Sequence, residues 1–155
     1  MSALPWEIDW LWSLPLIVLS VIIHVIGLLL IYRGAVDTMS LAAVRRRFTT
    51  MFIVVMGMVA LLAAALHGLE GCLWAASYRF LEALPDSRSA MLYSFSAMTS
   101  YGHADLHLES KWQLMGALEA LNGTLLFGLT TAFLFAIIRE IWDREAQLRA
   151  GGSGG

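Results

Sequence analysis

The residues best able to do chemistry lie in one run, Thr99-Ser100-Tyr101-Gly102-His103-Ala104-Asp105, with His107 two places on. Hydroxyls, backbone carbonyls beside a glycine, an imidazole and a carboxylate can each replace water around a cation. His103, Asp105 and His107 alternate, so on an extended chain they share one face. Imidazole with carboxylate also suits zinc. Three ligands on one short loop are not a specific motif, and a small membrane metalloenzyme is a distant reading of that trio. Elsewhere, Glu119 is the only charge in a long apolar run, where a carboxyl is costly and functional by default. His67 and Glu70 are three apart, hence neighbours on one helix face. His24 is the lone ionisable group of another apolar run and reads as a packed or hydrogen-bonded neutral histidine.

These groups sit in an unusually apolar chain. Of 155 residues, 59% are hydrophobic and 14% charged, and the mean hydropathy is +0.71. A soluble domain is nearer a quarter charged. The composition excludes disorder, nucleic-acid binding and most soluble enzymes. Dinucleotide-binding glycines, a P-loop and a nucleophile elbow are all missing, so the expectation is no enzyme. A single cysteine, Cys72, rules out an internal disulfide framework.

Three runs can cross a bilayer, whose core needs about 20 apolar residues in a helix. Residues 10–32 and 48–69 hold no Asp, Glu, Lys or Arg, and residues 112–138 hold only Glu119. The segment 33–47 carries Arg33, Arg45, Arg46 and Arg47 against Asp37. By the positive-inside rule it is a cytoplasmic loop, which puts the N-terminus outside and the C-terminus inside. The expected location is a bacterial inner membrane. Six tryptophans fall near span ends, as interfacial aromatics should.

Between the second and third spans, Pro85-Asp86-Ser87 signals a helix start. The mostly apolar stretch to Met98 is too short to span. The polar, small residues that follow make a poor helix. A half-helix with irregular backbone at membrane depth is tolerated only where it lines a cavity or is buried in protein. That is a re-entrant loop pattern.

Residues 94–106, Ser-Phe-Ser-Ala-Met-Thr-Ser-Tyr-Gly-His-Ala-Asp-Leu, resemble the pore helix and selectivity filter of potassium channels, whose pattern is T-V-G-Y-G-D after a threonine. Thr99 matches that preceding threonine, Ser100 the filter threonine, Tyr101 the valine and Gly102 the first glycine. His103 stands for the tyrosine, Ala104 for the second glycine and Asp105 for the aspartate. Residues 123–132 look like the inner helix of small two-helix bacterial channels. The resemblance covers roughly residues 50–138.

The resemblance implies an all-α integral membrane fold: three transmembrane helices, a re-entrant pore helix and a filter loop, four chains around one axis. Residues 1–47 hold an interfacial segment, the first span and the basic loop. Residues 48–138 are the pore domain, with outer helix 48–76, pore helix 87–98, filter 99–105 and inner helix 112–138. Residues 139–150 are a short cytoplasmic tail, and 151–155 read as an expression linker. The implied function is a monovalent cation pore. Potassium is permeant but weakly preferred, sodium is a second candidate, and no cofactor or resident metal is expected. The partners are three further copies and the bilayer. Ala104 meets a backbone cost of roughly 1–2 kcal/mol if it must be left-handed, and His103 titrates near neutral pH. A non-conducting or regulatory subunit that keeps the fold is the alternative. Gly123 and Gly128 are expected at an inner-helix hinge, and Thr131 and Phe135 at the cavity and its narrow exit. Glu119 has three candidate roles: a brace bonded to the pore helix or to His67, a proton-sensitive gate, or a carboxyl bonded to backbone. His67 and Glu70 are expected to support the filter. Asn122 is expected to bond between helices.

Overall fold

The computed structural model describes residues 5–43, 48–102 and 106–151. Their order is α1 (Pro5–Ala43), α2 (Phe48–Phe80), α3 (Ser87–Met98), a 3-10 turn (Ser110–Trp112) and α4 (Gln113–Gly151). Every regular element among the described residues is helical. Three helices are long and apolar enough to cross a membrane, within Glu7–Met39, Phe48–Phe80 and Ser110–Gln147. His103, Ala104 and Asp105 lie outside the described residues.

The short helix α3 has the bounds its sequence signals. Asp86 is its N-cap: Oδ1 accepts from the N–H of Arg88 (2.9 Å) and of Ser89 (3.0 Å), and Oδ2 from the Ser89 hydroxyl (2.7 Å). These bonds occupy orphan donors of the first turn. The Ser89 hydroxyl and N–H hold the Asp86 carboxyl below the usual aspartate range. A depressed carboxylate stabilises the fold at pH values above its unfolded pKa, about 3.9. That contribution is lost as pH falls through the lower folded value. Asp86→Ala is therefore expected to lower Tm at pH 7 and to converge with the parent in strong acid. Thermal melts of both proteins across pH check this.

Three long helices outrun their expected limits. α1 continues to Ala43, where the sequence reading places a loop from residue 33. α2 ends at Phe80 rather than 76, and α4 continues to Gly151 through the expected tail. Hydropathy marks where an apolar run stops, which is not where a helix must stop. In α4 the polar extension is laced by i,i+4 pairs, Arg144 Nε to Glu140 Oε1 at 2.6 Å and Arg139 Nε to Asp143 Oδ2 at 3.8 Å.

The chain divides into two compact units. The first comprises Met1–Val25 and Leu66–Gly128. Its core packs Leu16 of α1 with Trp74, Ala75 and Tyr78 of α2, Ala90 of α3, and Trp112 and Met115. Trp74 and Trp112 are thus core residues, buried against neighbouring helices. Trp10 and Trp12 do stay exposed, and Trp12 lies 5.8 Å from the Phe80 ring. The second unit comprises Ile26–Ala65 and Leu129–Gly155. Its core joins Ala35 and Met39 of α1, Val55 and Val59 of α2, and Ile137 and Ile141 of α4. Phe52 stacks with Phe48 at 6.2 Å and meets Trp142 at 6.4 Å.

Candidate functional site

All the described filter-like and support residues of interest meet in the first unit. α3 is wedged between α2 and α4 at three glycine notches. A Cβ on Gly71 of α2 would stand 3.0 Å from the Phe95 ring. One on Gly116 of α4 would strike the Tyr93 hydroxyl, and one on Gly123 would strike the backbone of Met98, 2.7 Å from its Cα. The absence of three side chains lets helix axes approach closely, the device common between membrane helices. Gly123 is therefore a seat for the last turn of α3. Gly128 has nothing within 4 Å of such a Cβ.

A buried carboxyl locks the wedge. Ser94 Oγ of α3 lies 2.5 Å from Glu119 Oε1 of α4 and 2.8 Å from the Gly71 carbonyl of α2. The Tyr78 hydroxyl of α2 donates to Glu119 Oε2 at 2.6 Å. Glu119, Ser94 and Tyr78 are fully buried. Ser94 owns one hydroxyl proton and faces two acceptors. All three contacts are hydrogen bonds together when Glu119 carries a proton and donates to Ser94, which donates to Gly71. Of the three roles open to Glu119, the geometry has it bonded to α3. Tyr78 is a partner that the sequence reading missed, because an aromatic near a span end looks interfacial.

A second polar cluster joins α1 to α2. His24 Nδ1 lies 2.8 Å from Glu70 Oε1, and His67 Nδ1 lies 3.3 Å from Glu70 Oε2. The two imidazole centroids are 5.1 Å apart, and His67 also stacks on Phe127 at 4.2 Å. Asp9, also on α1, is buried as well. The signal for this face was present in the sequence: Asp9, Ser13, Ser20 and His24 follow helical spacing and all are buried. A helix facing only lipid has no use for such a stripe. Asn122 is also buried, but neither of its amide atoms has a hydrogen-bond partner among the described residues. The expected interhelical bond is absent there.

Of the residues expected to form a filter, the described ones, Thr99 to Gly102, form the C-terminal cap of α3. Thr99 follows the helix and its hydroxyl donates to the Phe95 carbonyl at 2.7 Å. Ser100 is left-handed at φ 55°, its N–H donates to the Ala97 carbonyl, and the Tyr101 N–H donates to the Ser96 carbonyl. That is a Schellman closure with serine where glycine is usual. Gly102 is left-handed too, at φ 73°. Tyr101 is 85% exposed. On α4, Thr131 and Phe135 are exposed, Phe135 to 67%.

The chain matches no family model, no curated protein and no solved structure.

Proposed function

We propose that four copies of this chain form a monovalent cation pore of the potassium-channel type. One observation carries the reading. α3, at 12 residues, is too short to span, is pinned to two long apolar helices, and ends in an exposed polar segment with left-handed residues at Ser100 and Gly102. The C-terminal end of a helix carries partial negative charge, which favours a cation beside it. A membrane-embedded segment of this kind needs its backbone groups satisfied, and a symmetric assembly around a water-filled axis does that. In this reading Thr99 to Asp105 line the conduction path and Glu119, Ser94 and Tyr78 hold α3. Thr131 and Phe135 face the cavity side of α4, and the N-terminus lies outside the cell.

One observation favours the alternative of a non-conducting subunit. Thr99 to Gly102 are wound into a helix cap, whereas a carbonyl ladder needs extended chain. The two readings separate in liposomes. The expected result is potassium flux from the pure protein, with a fourfold particle in nanodiscs. Mixed-cation reversal potentials are expected to show weak preference for potassium. His103→Tyr with Ala104→Gly should raise that preference roughly tenfold, since discrimination depends on the number and field of coordinating carbonyls. A monomeric or dimeric particle without flux overturns the pore reading. A parent protein that already excludes sodium strongly overturns the account of Ala104.

A further inference from the structure

The second polar cluster offers a chemistry that the pore reading does not use. We propose that His24, His67 and Glu70 form an intrachain binding site for one divalent transition-metal ion of the zinc class, tying α1 to α2.

The ligand set is the first argument. Two imidazoles and one carboxylate are borderline donors suited to zinc, and a three-ligand set leaves a fourth position for water. Geometry is the second. One atom from each residue lies within 4.8 Å of the others. An ion about 2.0–2.2 Å from each donor needs donors roughly 3.3 Å apart in a tetrahedron. The His67–Glu70 separation is 3.3 Å and the His24–Glu70 separation is 2.8 Å. The His67–Glu70 pair is already at that separation, and the His24–Glu70 pair has to open by about 0.5 Å. Both histidines present Nδ1 to the same carboxylate, so the three groups already converge.

Rigidity is the third argument. His67 and Glu70 are fixed by their i,i+3 spacing on α2, and Phe127 stacks on the His67 ring at an interplanar angle of 22°. His24 and Glu70 are wholly buried. A low-dielectric setting strengthens the attraction between a dication and the carboxylate. Metal sites between facing helices of a bundle are built in this way, from ligands at i,i+3 spacing on one helix and a partner on the next. The inference needs only α1 and α2 and does not depend on conduction.

The test uses the full chain purified in detergent and stripped with a chelator. His103→Ala and His107→Ala are introduced together, which removes every other histidine. Zn2+ is titrated in a competing chelator, and Co2+ is added separately to read its visible d–d absorption. The expected result is one ion per chain, a higher Tm with zinc, and a Co2+ spectrum of tetrahedral or five-coordinate nitrogen–oxygen ligation. Glu70→Gln, which keeps shape and hydrogen bonding, should weaken zinc binding by about 100-fold or more, beyond the effect of losing an outer partner. His24→Ala should do the same. Absence of stoichiometric zinc overturns the proposal and leaves a hydrogen-bonded brace. Unaltered binding in Glu70→Gln overturns it as well. If His24→Ala fails to fold, Glu70→Gln and the Co2+ spectrum decide.

Discussion

Glu119→Leu is expected to destabilise the protein by roughly 2–4 kcal/mol, while Glu119→Gln stays within about 1 kcal/mol of the parent. Leucine matches the volume and removes every polar contact. The Tyr78 hydroxyl, fully buried, then has no acceptor in its present position. An orphaned buried hydroxyl costs about 1–3 kcal/mol. Ser94 keeps one bond, to the Gly71 carbonyl, but loses its link to α4. Glutamine keeps the pattern: its carbonyl accepts from Tyr78 and its amide donates to Ser94. Thermal melts of the three purified proteins check the order. A Glu119→Leu protein as stable as the parent refutes the lock. Tyr78→Phe combined with Glu119→Leu sharpens the test. The pair should couple by about 0.5–3 kcal/mol, because both changes break the same bond.

The lock also shows what could be read without coordinates. Three helices long and apolar enough to span follow from two charge-free runs and a third that holds only Glu119, and α3 follows from Asp86 and from its length, because capping and hydropathy are local signals. Glu119 stands out as an isolated charge. Its partners do not, because Ser94 and Tyr78 are 25 and 41 residues away and ordinary in type. His24 and Glu70 are 46 apart and join through packing that no short-range pattern encodes. The polar stripe of α1 was readable in principle. It was masked because Ser and His inside an apolar run are usually tolerated singly. Helix ends were least legible. Propensity and i,i+4 pairs carry a helix past the point where hydropathy falls, as in α4 beyond residue 138.

Gly123 and Gly128 look alike in sequence, both fit a hinge, and the structure separates them. A methyl group at Gly123 collides with the backbone of Met98, which has no rotamer to move into. The last turn of α3 must shift, and with it Thr99 to Gly102, which are hydrogen-bonded to that turn. Gly123→Ala is therefore expected to cost roughly 1–3 kcal/mol, the usual range for overpacking. It should also reduce any cation flux at least tenfold. Gly128→Ala meets open space and gains helix propensity of about 1 kcal/mol. Its Tm should be unchanged or higher. If bending at a glycine is what matters, flux should suffer in both variants while stability suffers in neither. If seating α3 is what matters, Gly123→Ala alone should lose both. Paired melts and liposome flux assays on the two single variants distinguish these outcomes. Equal stability of the two proteins would remove Gly123 from the packing account of α3.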